Sequence, residues 1–203
     1  MCRTMLVTLA SAFLAAPGAG AQSQPAAASP TPPSAEQQIA AAVLAAPADM
    51  RAGATVLGYG PDGHLTTLRQ GRGGLTCLAS DPKAERFHVA CYHRSLEPFM
   101  ARGRALRARG VMGDGVDSVR FAEVRSGKLR MPRHPAVLYS LTGPADSFDP
   151  ATGMAPKARP LFVVYVPFAT GRSMGLSATP VEGAPWIMHP GTPKAHIMFQ
   201  PGM

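Results

Sequence analysis

The sequence predicts an α+β fold: a single small domain of antiparallel hairpins, two or three helices and many loops, with one disulfide. Three observations predict it. Along the chain the order is helix, strands, helices, strands, unlike the regular strand and helix alternation of a parallel sheet. Gly and Pro each number 21 in 203 residues, so turns and irregular connections are frequent. Leu, Ile, Val and Phe supply only 40 residues, near the lower edge for a packed globule, which suits a domain with a covalent staple. The same figures exclude a coiled coil, a multi-span membrane protein and a large doubly wound enzyme.

Residues 1–21 read as a secretory signal peptide. Arg3 supplies the positive start, 5–16 (MLVTLASAFLAA) the apolar run, and Ala19-Gly20-Ala21 a small-x-small cleavage site. The run is shorter than the ~20 apolar residues a spanning helix needs, and no later segment is long and apolar enough. The expected location is periplasmic or extracellular. Cleavage after Ala21 removes one charged residue, Arg3, so the formal charge falls from +8 to +7, and one of three cysteines is lost. The remaining pair, Cys77 and Cys91, is expected to form a disulfide in an oxidising compartment. It would close a 15-residue loop, for which the chain-entropy account gives ~3 kcal/mol.

Residues 22–35 (QSQPAAASPTPPSA) are uncharged and rich in Pro, Ala and Ser, the composition of a flexible linker. The domain is then expected over 36–203. A helix is predicted over 36–46, with Ser34 as its cap and Pro47 as its stop. Strands are predicted over 54–59 and 64–69 around a Pro61-Asp62-Gly63 turn. A third is expected over 75–78 and a fourth over 86–92. In the fourth, Phe87, Val89 and Cys91 would share one face. The clearest helix is 95–109, where Leu96, Phe99, Met100, Gly103 and Leu106 form one stripe. A weaker helix is predicted over 117–126. Strands follow at 136–141, 161–167, 186–189 and 195–199. The apolar run LFVVYVP marks 161–167 as a central, buried strand.

Three stretches carry a family likeness: TCLASDPKAERFHVACYHRSLEPFMARGRALRARG, SVRFAEVRSGKLRMPRHPAVLYSLTG and PWIMHPGTPKAHIMFQP. They resemble a family of uncharacterised proteins exported by bacteria. The likeness runs from about residue 46 to the C-terminus and is most specific in GTPKAHIM. It implies export and a single domain, and it implies no activity.

Gly171-Arg172-Ser173-Met174-Gly175 matches G-x-S-x-G, the nucleophile elbow of a serine hydrolase, which would draw on Glu182 and on His189 or His196. An elbow needs a strand, a sharp turn and a helix, whereas two prolines follow here within ten residues. The plain alternative is a Gly-rich turn. His88, Cys91 and His93 look like metal ligands on paper, but residues five apart on a strand point to opposite faces.

The C-terminal histidines suggest more. If 186–190 and 195–199 pair around the loop 191–194, His189 faces His196 and Ile187 faces Met198. Two imidazoles beside the Met198 thioether suit a copper or zinc ion. The alternative is a pair of histidines hydrogen-bonded within the hairpin or left in solvent.

The positive charge comes from 16 Arg and 4 Lys, and five of the Arg lie between 94 and 109. This is compatible with weak, salt-sensitive attraction to anionic surfaces, and the plain alternative is a solvated basic surface in an Arg-using composition. Nucleic acid is not an expected partner, because aromatics are few and no nucleic-acid motif is present. The leading expectation is thus an exported, non-enzymatic binding or envelope-associated domain with an unidentified ligand. A metal-binding module at His189 and His196 and a small hydrolase at Ser173 stand as alternatives.

Overall fold

The computed structural model describes residues 32–200. The predicted signal peptide, residues 22–31 of the predicted linker and the last three residues lie outside the described residues. The first helix, α1 (Ala35–Val43), starts at a reciprocal cap. The Gln37 N–H donates to Ser34 Oγ at 3.2 Å, and the Ser34 N–H donates to Gln37 Oε1 at 3.2 Å. This capping box satisfies two of the N–H groups a helix start leaves free. The helix thus begins one residue before the expected boundary and ends three residues short of it. A single turn, α2 (Ala48–Arg51), follows Pro47.

Eight strands form one sheet: β1 (Thr55–Tyr59), β2 (Leu65–Arg69), β3 (Leu75–Leu78), β4 (Arg86–His93), β5 (Ala136–Pro144), β6 (Arg159–Tyr165), β7 (Trp186–Met188) and β8 (His196–Phe199). Their spatial order is β2-β1-β3-β4-β5-β6-β8-β7. Only β1 and β3 run parallel. The mixed α/β class stands, but the architecture is a continuous sheet rather than separate hairpins. Five α-helices are present among the described residues, against the two or three expected.

The parallel pair arises because the chain leaves β1, makes the β2 hairpin and returns to the other side of β1. On that return it passes close to its own backbone. A β-carbon on Gly71 would lie 2.2 Å from the Gly53 carbonyl oxygen, so no larger residue fits there.

Alternation in β4 sorts the two faces. Phe87, Val89 and Cys91 point to the α1 side as expected, where Ala41 and Ala42 let the helix lie close to the sheet and Ala45 and Ala46, just past its end, join the same cluster. Tyr92 points the other way, to a cluster with Leu96, Ala136, Val163 and Tyr165. That second face is covered by α3 (Glu97–Ala108), which a 3₁₀ turn at Arg94–Leu96 leads into. The stripe Leu96, Phe99, Gly103 and Leu106 is buried, and Met100 packs beside it. The last helix of this layer, α4 (Asp114–Arg125), packs on α3 and starts three residues earlier than expected.

The strand expected to be central and buried is only partly so. In β6, Val163 and Tyr165 are buried towards α3, while Phe162 on the opposite face is 37% exposed. The apolar run meant burial on both faces, but the α1 cluster draws chiefly on β1, β3 and β4.

The expected Cys77–Cys91 disulfide is formed, with the two α-carbons 3.9 Å apart. These residues are directly opposed in the β3–β4 ladder, and both are fully buried against α1. No helix among the described residues is long and apolar enough to cross a membrane.

Candidate functional site

The two C-terminal histidines come together, though not by the expected register. The ladder pairs Trp186 with Met198, Ile187 with Ile197 and Met188 with His196. Strand β7 therefore ends one residue early, and Met188, not His189, faces His196. Met198 sits opposite Trp186 and packs into the α3-side cluster. His189 still reaches its partner, with ring centroids 5.6 Å apart and planes inclined at 50°.

The reason is a local backbone choice. His189 has φ of +51°, in the left-handed region. That is uncommon for a residue with a β-carbon and runs against the extended preference of a residue before proline. The turn is held there by Thr192, which donates both its N–H (3.2 Å) and its hydroxyl (2.7 Å) to the His189 carbonyl. Successive strand residues point to opposite faces, but the left-handed step brings the His189 ring back beside His196, on the Met188 face. A neighbouring turn shares the same feature. Phe168 has φ of +65°, and its N–H donates to the Thr192 carbonyl at 2.9 Å. These are the only two non-glycine residues with positive φ among the described residues.

His196 is held more tightly. Its ring is buried, and Nδ1 lies 2.7 Å from the Lys194 carbonyl oxygen. A carbonyl only accepts, so in the neutral ring Nδ1 carries the proton and Nε2 keeps its lone pair. The Tyr165 ring lies 5.1 Å from the His196 ring, and burial pushes the Tyr165 phenol up to about 12. Burial also lowers the pKa of both histidines, with the Lys194 charge adding to the effect on each. Both effects favour the neutral form of the two rings.

A charged chain supports this pair from behind. Lys194 Nζ donates to Asp117 Oδ2 at 2.8 Å, and Arg120 donates to the other oxygen of Asp117. Burial opposes the Asp117 charge, but the hydrogen bonds and charges of Lys194 and Arg120 outweigh it and hold that pKa below its ordinary value. Arg120 is buried. Its guanidinium lies 3.8 Å above the Phe99 ring, Nη1 donates to the Phe99 carbonyl, and Nε has no hydrogen-bond partner.

Ser173 stands in a different setting. It lies in the single-turn helix α5 (Gly171–Met174), separated from the end of β6 by five residues. Its hydroxyl donates to the Thr170 carbonyl at 3.0 Å and accepts the Thr170 N–H at 2.9 Å. The Ser173 N–H in turn donates to Thr170 Oγ1. This is a reciprocal cap, and Gly175 in the left-handed region ends the turn. The hydroxyl thus serves its own backbone. Nor do His88, Cys91 and His93 converge. His88 bonds Thr142, His93 bonds Ser95, and Cys91 is in the disulfide.

Sequence reasoning missed Met188, Lys194, Asp117 and Arg120. One signal was available. Pro190-Gly191 directly follows His189, and a Pro-Gly pair is a strong strand stop. Ending β7 before His189 would have shifted the register correctly.

Elsewhere, a cleft of about 350 Å³ opens between α1 and the β3–β4 connection, walled by Pro33, Ala41, Phe87 and Phe148, with Asp81 and Arg86 at its edge. It contains none of the expected site residues. Comparison with protein-family models, curated proteins and solved structures finds no match to this chain.

Proposed function

We propose that the protein is an exported binding domain that holds a ligand at the β7–β8 end and does not transform it. The observation that carries this reading is the His189–His196 pair. The two imidazole centroids are 5.6 Å apart, His189 on a left-handed turn held by Thr192 and His196 at the start of β8 held by the Lys194 carbonyl. Backbone held in a sparsely populated conformation collects at functional sites. Export is supported by the N-terminal segment, by the resemblance to exported bacterial proteins and by the Cys77–Cys91 bond, which is compatible with an oxidising compartment.

Native mass spectrometry of the protein released from the host's periplasm tests the reading. The expected species begins at Gln22, is two hydrogens lighter than the reduced chain, and carries an added mass that the His189→Ala variant lacks. An uncleaved leader would overturn export. A fluorophosphonate adduct on Ser173 would overturn the binding role in favour of hydrolysis.

A further inference from the structure

We propose that the ligand is a copper(I) ion held by the imidazoles of His189 and His196 and the thioether of Met188. This rests on the binding role argued above and names its ligand.

Spacing is the first argument. Bonds of ~2.0–2.1 Å from an ion to each imidazole nitrogen place two such rings roughly 5–6 Å apart, centre to centre. The observed separation is 5.6 Å. His196 presents Nε2 for bonding because Nδ1 is committed to the Lys194 carbonyl. A backbone acceptor on the second nitrogen is the usual device for orienting a metal-bound histidine.

Chemistry of the third ligand is the second argument. Among the described residues no group of three or more His, Cys, Asp or Glu side chains comes together to hold a metal. Asp117, the nearby carboxylate, is occupied by Arg120 and Lys194. The hard or borderline set that zinc requires is therefore incomplete. What the ladder does supply is sulfur. Met188 is the direct partner of His196, so their β-carbons lie ~4.5–5.5 Å apart on one face. Met188 is 36% exposed, whereas Met198 is committed to the α3-side cluster. Two imidazoles and a thioether form a soft three-coordinate set, which selects copper(I) over zinc(II). Finally, the left-handed φ of His189 has a role here. An extended residue at that position would send its ring to the face opposite Met188.

The test uses the mature chain, kept anaerobic with ascorbate, a reductant chosen to spare the disulfide. Copper(I) is titrated in competition with bicinchoninate, and zinc(II) is titrated in parallel. One copper(I) per chain is expected, with weaker zinc(II) binding and a sulfur scatterer in the X-ray absorption spectrum. Met188→Leu should weaken copper(I) by about 10–100-fold and remove the sulfur signal, and Met198→Leu should leave both unchanged. His189→Ala, at an exposed turn, should weaken it by at least about as much. No copper(I) uptake by natively folded protein, zinc(II) binding as tight as copper(I), or an unchanged Met188→Leu affinity would each overturn the proposal. An organic mass at this site in the periplasmic protein would overturn copper and leave the binding role intact. Copper(I) binding by a chain that keeps its leader in the host would leave copper standing and overturn export.

Discussion

Gly103 of α3 leaves open the space into which Arg120 of α4 places its guanidinium. A β-carbon at Gly103 would lie 2.9 Å from Arg120 Nη1. The contact matters beyond the two helices, because Arg120 holds Asp117, Asp117 holds Lys194, and the Lys194 carbonyl fixes the His196 ring. A helix–helix fit is thereby connected to the geometry of the candidate site.

Gly103→Ala should therefore be destabilising, despite the better helix propensity of alanine. Overpacking of this kind costs about 1–3 kcal/mol. Arg120→Met removes the colliding group and the buried charge together, so in the Gly103→Ala/Arg120→Met double variant the loss should fall short of the sum of the singles. Urea unfolding of the four proteins gives the coupling directly. Strict additivity would show that the contact is relieved without moving Arg120.

The site also predicts a pH dependence. Burial lowers the pKa of His196, His189 and His88 in the folded chain, while the unfolded value stays near ~6.5. A lowered folded pKa means that the unfolded chain binds more protons as the pH falls below ~6.5. Stability from these groups is thus complete above that value and is lost on acidification through the folded pKa values. Around His196 the balance is set by Lys194 and His189, which oppose its charge, and by Asp117, which favours it. Asp117, Asp146 and Asp149 are shifted below their ordinary values, so their contribution persists above ~4 and is lost only in stronger acid. With a chelator present, the melting temperature should fall between pH 7 and 5. The His196→Asn variant, whose amide still reaches the Lys194 carbonyl, should fall less. A parent that melts higher at pH 5 would refute the sign.

Much of this architecture was legible in the residues, and where it was not the cause is physical. Ser34 and Gln37 announced the first helix because capping is local chemistry. Phe87, Val89 and Cys91 announced the face of β4 because period two survives any tertiary context. The joining of all eight strands was not legible, since pairing β3 parallel to β1 depends on a return path permitted by Gly71. The histidine pair was legible in its membership and not in its register. A left-handed histidine before proline is a choice that propensity argues against, and it moved the strand end by one residue. Asp117 and Arg120 could not be assigned to this site, because their contribution arises only when α4 docks on α3 and meets Lys194 across 77 positions of sequence.

The disulfide should account for a measurable share of stability. Cys77 and Cys91 close a loop with a sequence separation of 14, so opening it releases about 3 kcal/mol of chain entropy to the unfolded state. For a chain of this size that corresponds to a melting temperature lower by roughly 6–12 °C. The Cys77→Ala/Cys91→Ala variant, melted beside the oxidised parent, checks the value. Equal melting temperatures would mean that the bond constrains nothing the sheet does not already constrain.

Ser173 provides the sharpest contrast between a motif and its setting. As a nucleophile its hydroxyl would need a base to take its proton, but that proton is given to the Thr170 carbonyl in the same helical turn. As the N3 partner of the Thr170 cap, its loss should remove the reciprocal bond to the Thr170 N–H at a small stability cost, with no change in ligand binding at the histidine pair. Ser173→Ala is therefore expected to melt slightly lower than the parent and bind the same ligand with the same affinity. Incubation of the parent with a fluorophosphonate should leave Ser173 unmodified, because no activated alkoxide is available to attack phosphorus. Labelling at Ser173 that the His189→Ala variant abolished would instead make the histidine a general base and the G-x-S-x-G match a working elbow.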